Sequence, residues 1–107
     1  MGGEPRESRA AAASLLMEIK WTRLALSDLV RLHDFLAPVN PRAAAKVVQA
    51  LSRAPERLRS HPRLGERLEE FAPREVRRLL VTSYEMRYEV CDSRLYILRL
   101  WHSREDR

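Results

Sequence analysis

The apolar pattern of this 107-residue chain changes period after Gly65. Upstream, Trp21, Ala25, Leu29, Leu32 and Leu36 recur at spacings of three and four, the stripe of a helix lying on a core. Ala44, Val47, Val48, Leu51, Ala54 and Leu58 supply a second such face. Downstream, Tyr84, Met86, Tyr88 and Val90 alternate with Glu85, Arg87 and Glu89, as a half-buried strand requires. Runs rich in Val, Leu, Ile and Tyr extend over 75–82, 84–91 and 94–102, with Asp92 and Ser93 as turn residues before the last.

Punctuation places the boundaries. Met17, Ile19 and Trp21 alternate with Glu18 and Lys20 in a short first strand, and Thr22 is a plausible N-cap for the helix that follows. Pro38 stops that helix, and Asn40-Pro41 starts the next, a capping side chain before a residue whose missing N–H costs nothing in a first turn. Pro55 predicts a break or a fresh short turn. The order is therefore β-α-α-β-β-β, an α+β fold with a helical hairpin packed on one face of a small, mainly antiparallel sheet. Residues 1–16, with two glycines, a proline and an alanine run, read as a mobile arm ahead of one domain at 17–107.

The charge is uneven. Residues 1–41 carry five basic and five acidic side chains, residues 42–67 seven and two, and residues 68–107 eight and eight, so the net +5 sits in the middle third. Arg42, Lys46, Arg53, Arg57, Arg59, Arg63 and Arg67 there would attract an acidic protein or a phosphate backbone, or simply form solvated helix faces. No run is long or apolar enough to cross a bilayer, and Glu4 and Glu7 stand where a signal peptide is purely positive, so a cytoplasmic location is expected. The single Cys91 falls in a strand pattern and reads as a buried structural thiol.

Phosphate-binding glycine loops, paired cysteines, a nucleophile elbow and H-E-x-x-H are all absent from the sequence, and His33, His61 and His102 share no ligand spacing. No metal or cofactor is expected. The densest chemistry is C-terminal, where Arg99, Trp101, His102, Arg104 and Arg107 lie close to Tyr84, Arg87 and Tyr88 of the preceding run. Guanidinium, imidazole and aromatic groups on neighbouring strands suit phosphate recognition and base stacking; the competing reading packs the aromatics in the core and leaves arginines on the rim. Alternation puts Arg99 and His102 on opposite faces unless the strand ends or bulges near Trp101.

From Ile19 to Asp106 the chain resembles the RelE/ParE toxin superfamily, and its ParE-like branch in particular. The resemblance is carried by W-T-x-x-A-x-x-D-L at 21–29, N-P-x-A-A at 40–44, L-x-x-H-P-x-L-G at 58–65, R-E-V at 74–76, Y-E-M-R-Y-E-V at 84–90 and I-L-R-L-W-H-S-R at 97–104. It implies the fold inferred above and a role as the toxin of a type II toxin-antitoxin pair, in which a ParD-like or similar antitoxin wraps the toxin in a hetero-oligomer and supplies its contact with DNA. ParE-like members are implicated in poisoning DNA gyrase; RelE-like members cut messenger RNA on the ribosome. The first activity implies a non-enzymatic target-binding surface at Arg99, Trp101, His102 and Arg104. The second would make Tyr84, Arg87, Tyr88, Arg99 and His102 candidates for metal-independent RNA cleavage, but Glu85 stands where some nucleolytic relatives place an arginine and would repel a scissile phosphate. Arg42, Lys46, Arg53 and Arg57 are the expected contacts for an acidic antitoxin tail lying against the helical hairpin and terminal strand.

Overall fold

The computed structural model describes residues 17–105. Its elements are β1 (Glu18–Trp21), α1 (Arg23–Leu36), α2 (Pro41–Arg53), α3 (Glu56–Ser60), β2 (Glu66–Arg67), a 3-10 turn (Glu69–Phe71), β3 (Glu75–Val81), β4 (Tyr84–Cys91) and β5 (Arg94–His102). The expected order is present with two short additions, α3 and β2. The arm expected at 1–16 lies outside the described residues, as does Arg107.

Local chemistry sets the helix boundaries. Thr22 Oγ1 accepts the Ala25 N–H at 3.2 Å, and Asn40 Oδ1 accepts the Ala43 N–H at 3.0 Å ahead of Pro41. At Pro55 the second helix gives way to α3, the fresh turn that the missing donor predicts.

The five strands form one mixed sheet in the order β1-β5-β4-β3-β2, with β1 parallel to β5 and the other pairs antiparallel. Helices cover one face, where Ala25, Leu32, Leu51, Ala54 and Leu58 meet Leu79, Val81, Met86, Tyr88, Val90, Leu95, Ile97 and Leu100. Burying Leu51, Leu58, Leu95, Ile97 and Leu100 completely stabilises the fold by about 1.5–3 kcal/mol each. Cys91 corrects the expectation of a buried thiol: it is exposed, because it ends β4 one residue out of phase with Val90 and so falls on the face the helices leave open.

Two departures from regular pairing shape the C-terminal strand. Arg87 pairs with Arg99 but Tyr88 pairs with Ile97, leaving Leu98 as the extra residue of a bulge. The irregularity thus precedes Trp101 instead of falling on it. Beyond the bulge, Leu100 and His102 share the helix-covered side with their partners Met86 and Tyr84, whereas Arg99 and Trp101 share the opposite side with Arg87 and Glu85.

Secondly, β1 pairs only with Arg94–Ile97, and side chains of α1 and of its N-cap Thr22 take over the remaining outer edge of β5. Thr22 Oγ1 donates to the carbonyls of Ile97 at 2.7 Å and Leu98 at 3.1 Å. Asp28 Oδ2 accepts the Leu100 N–H at 2.8 Å, and Arg31 donates to the Leu100 carbonyl at 3.0 Å. These bonds satisfy edge groups that would otherwise be buried unpaired.

Candidate functional site

The residues suspected of chemistry are distributed over four places. The first is a groove of about 520 Å³ between the C-terminal half of α1 and the end of β5. Leu32, Phe35, Leu36, Tyr84 and His102 give it an apolar and aromatic wall, with Arg31, Arg104 and Glu105 at its rim. Tyr84 meets His102 edge to face, with ring centroids 5.0 Å apart. The His102 backbone N–H donates to Glu105 at 2.6 Å, and Glu105 pairs with Arg31, so residues just beyond β5 are clasped to α1. Arg104 is exposed and makes no ion pair with a described residue.

The second place lies on the other face of the sheet. Arg87 is sandwiched between Phe71 of the 3-10 turn, 5.2 Å from its guanidinium carbon to the ring centre, and Trp101 at 4.7 Å. Glu85 is buried beside them, 3.4 Å from Arg87 and 3.7 Å from Arg78. The carboxylate therefore compensates the positive charge gathered on this face. Trp101 is only 4% exposed, so it supports Arg87 from within instead of presenting a ring to a target.

Arg99 belongs to a third cluster. Its Nε donates to Asp28 Oδ2 at 2.8 Å and its terminal nitrogen to Oδ1 at 3.2 Å. Burial pushes the Asp28 carboxyl upward, but the Arg99 hydrogen bond, the Leu100 N–H and the charges of Arg99 and Arg31 outweigh it and hold the group below the ordinary aspartate range. Sequence patterning alone marks no site role for Asp28. Its sequence signals are its place in W-T-x-x-A-x-x-D-L and a carboxylate set between Ala25 and Leu32 on the core side of α1.

Tyr88 is fully buried. Its hydroxyl accepts the Gly65 N–H at 2.9 Å and donates to the Pro62 carbonyl at 2.8 Å, which accounts for the H-P-x-L-G segment as a clamp on a core tyrosine. Burial pushes both the Tyr84 and Tyr88 phenols above the ordinary tyrosine value, so neither is favoured as a base near neutral pH. Of the five residues considered for RNA cleavage, the structure brings Tyr84 and His102 together on the helix-covered side and pairs Arg87 with Arg99 on the opposite side. Arg87 lies across the sheet, Arg99 is tied to Asp28, and Tyr88 is committed to the core.

The basic middle third divides in two. Arg59 pairs with Glu56, Arg63 with Glu75 and Arg67 with Glu69, so these cations serve the fold. Arg42, Lys46, Arg53 and Arg57 are all exposed, and none lines the groove or forms an ion pair with a described residue.

Known proteins share both sequence and architecture. Residues 19–107 match the family described as ParE toxin of type II toxin-antitoxin system, parDE. A protein named Toxin RelE2 from Caulobacter vibrioides is 32% identical over 88 residues, covering 82% of this chain and 97% of the relative. A structure of the chromosomal ParDE toxin-antitoxin system from P. aeruginosa superposes with a TM-score of 0.69 at 26% identity, covering 82% of this chain and 97% of that one. The toxin-antitoxin complex RelBE2 from Mycobacterium tuberculosis gives 0.53 at 26% identity, over 81% and 91% of the two chains. The α+β architecture, helices packed on one side of a five-stranded mixed sheet, is thus that of these toxins, and the chain belongs to the ParE toxin family of type II toxin-antitoxin systems.

Proposed function

We propose that this toxin arrests growth by binding and poisoning DNA gyrase, without catalysing a reaction itself, and that a cognate antitoxin neutralises it. The observation carrying the first half is Glu85: a buried carboxylate among Arg78, Arg87 and Trp101 opposes the approach of a scissile phosphate to that face. Dispersal of the remaining acid, base and cation groups adds to it, because general acid-base cleavage needs them around one phosphorus. Arg104 and His102 are the target contacts this reading retains from the C-terminal cluster.

For the antitoxin, the groove beside α1 is the favoured seat. It lies between the first helix of the hairpin and the end of the terminal strand, offers Phe35 at 78% exposure as an apolar contact, and carries Arg31 and Arg104 at its rim for acidic flanks. The complex would then be a hetero-oligomer reaching DNA through the antitoxin.

Supercoiling and cleavage by gyrase, assayed with purified toxin beside a ribosome-programmed RNA cleavage assay, tests the target. Gyrase inhibition with intact message is expected. Message cut with gyrase unaffected would replace this reading with ribosome-dependent cleavage, for which the Tyr84–His102 contact is the structural starting point.

A further inference from the structure

The outer ridge of α2 has no task in the fold or in the groove. Arg42, Lys46, Gln49 and Arg53 recur at spacings of four, three and four, so they form one stripe, opposite the buried Ala44 and Leu51. The stripe is about 16 Å long at 1.5 Å per residue. Between its cations the surface is small and polar, with Ala45, Gln49 and Ser52 exposed. No acidic residue occurs from Phe35 to Pro55, and the first beyond it, Glu56, is held by both Nε and a terminal nitrogen of Arg59 at 3.1 Å. Arg57 extends the same uncompensated charge into α3.

We propose that this ridge binds duplex DNA directly through its phosphate backbone, with Arg42, Lys46 and Arg53 as principal contacts and Arg57 as a fourth. Three physical points favour a nucleic acid over an acidic protein tail. A helix-binding partner needs large apolar anchors, and none of the exposed large hydrophobic residues among the described ones lies on α2. The ridge is convex, whereas peptide tails seat in grooves. A helix with its side chains is about 10–12 Å across, and the major groove of B-form DNA is about 12 Å wide, while the A-form RNA groove is too narrow to admit it. The α2 ridge itself carries no carboxylate to repel phosphate, Glu56 beside Arg57 being paired with Arg59, and little beyond Gln49 to read a base, so the binding is expected to be sequence-independent.

The assay is fluorescence anisotropy with a duplex of arbitrary sequence and the toxin alone, so neither gyrase nor ribosome enters and the outcome is separate from the target question. Four phosphate contacts give a log–log salt slope of about −3.6, an affinity loss of about 150-fold between 50 and 200 mM salt. The triple variant Arg42→Gln, Lys46→Gln, Arg53→Gln is expected to reduce that slope by about 2.7. A charge-matched control, Arg23→Gln, Arg74→Gln, Arg94→Gln, is expected to bind within about twofold of the parent, since phosphate contacts rather than net charge set the slope. Circular dichroism checks that both variants fold. Equal losses in both variants, a slope near zero, or tighter binding of a polyglutamate peptide or single-stranded RNA than of the duplex would each overturn the assignment.

Discussion

Replacing Asp28 with alanine strips the outer edge of β5 of its acceptor. The carboxylate takes the Leu100 N–H and two nitrogens of Arg99, and the Leu100 residue is fully buried. A buried donor left without a partner costs about 1–3 kcal/mol, and each hydrogen bond to a charged group adds about 1.5–3 kcal/mol where water cannot replace it. Water can partly replace it here, because the side chains of Arg99 and Arg31 are 44% and 43% exposed. The expected loss is therefore about 2–4 kcal/mol, a large share of the roughly 5–15 kcal/mol that holds a domain of this size together. It corresponds to a fall in Tm of roughly 10–25 °C. Asp28→Asn keeps an acceptor for Leu100 and should lose only about 1–2 kcal/mol. Urea unfolding followed by the fluorescence of Trp21 and Trp101 measures both, and a double-mutant cycle of Asp28→Asn with Arg99→Gln should give a coupling of about 1 kcal/mol. Alanine within about 0.5 kcal/mol of the parent, or zero coupling, would refute the assignment of Arg99 to the fold.

Tyr88→Phe leaves the Gly65 N–H without its acceptor and should destabilise by about 1–3 kcal/mol in the same unfolding assay. Gly65→Ala places a methyl 2.5 Å from the Arg78 carbonyl oxygen, a backbone atom that cannot swing away, and should cost about 1–3 kcal/mol. Burial acts against the charged form of Asp28 and Glu75, yet arginine contacts hold both carboxyls below their ordinary range. Their stabilising contribution is thus complete above about pH 4.5 and is lost as pH falls through the lowered folded values, and denaturation midpoints between pH 6 and pH 2.5 should show that acid-side loss, blunted in Asp28→Asn. Phe35→Asp should change stability by less than about 0.5 kcal/mol and weaken the antitoxin complex at least tenfold in calorimetric titration, since the ring is exposed when the toxin is free. Native protein should react promptly with a thiol reagent at Cys91, one equivalent per chain.

The order of elements was legible because each boundary has a local cause: the Thr22 and Asn40 caps, Pro41, Pro55, and the switch from helical to strand period. The site was less so, because its groups are assembled from far apart in the chain. Asp28 and Leu100 are separated by 72 positions, and nothing near Asp28 announces that a strand edge will need its oxygen. The bulge at Leu98 depends on pairing between β4 and β5, and it decides that Leu100 and His102, not Arg99 and Trp101, follow Ile97 onto the helix-covered side. Cys91 misled for a related reason, since strand alternation does not say whether the second face is covered. The short motifs that carry the family resemblance prove to be contacts of the fold. In W-T-x-x-A-x-x-D-L, Thr22 caps α1, Ala25 is fully buried and Asp28 holds β5; in R-E-V, Arg74 pairs with Glu89 and Glu75 with Arg63 and Arg77. Such motifs identify an architecture well and a target poorly, because so many of their residues are committed to contacts of the fold.

The side-chain cover that α1 lays over the last third of β5 also bears on how the toxin behaves at high concentration. An open strand edge is a template for another copy of the same chain, and proteins with long bare edges pair through them into aggregates. Here Thr22, Asp28 and Arg31 occupy the donors and acceptors that an incoming strand would seek, and they do so from a helix, which cannot itself be extended by strand addition. Edge protection and core packing are thereby joined in one helix, so that loosening α1 would bare the outer edge of β5 together with the core face that Ala25 and Leu32 cover.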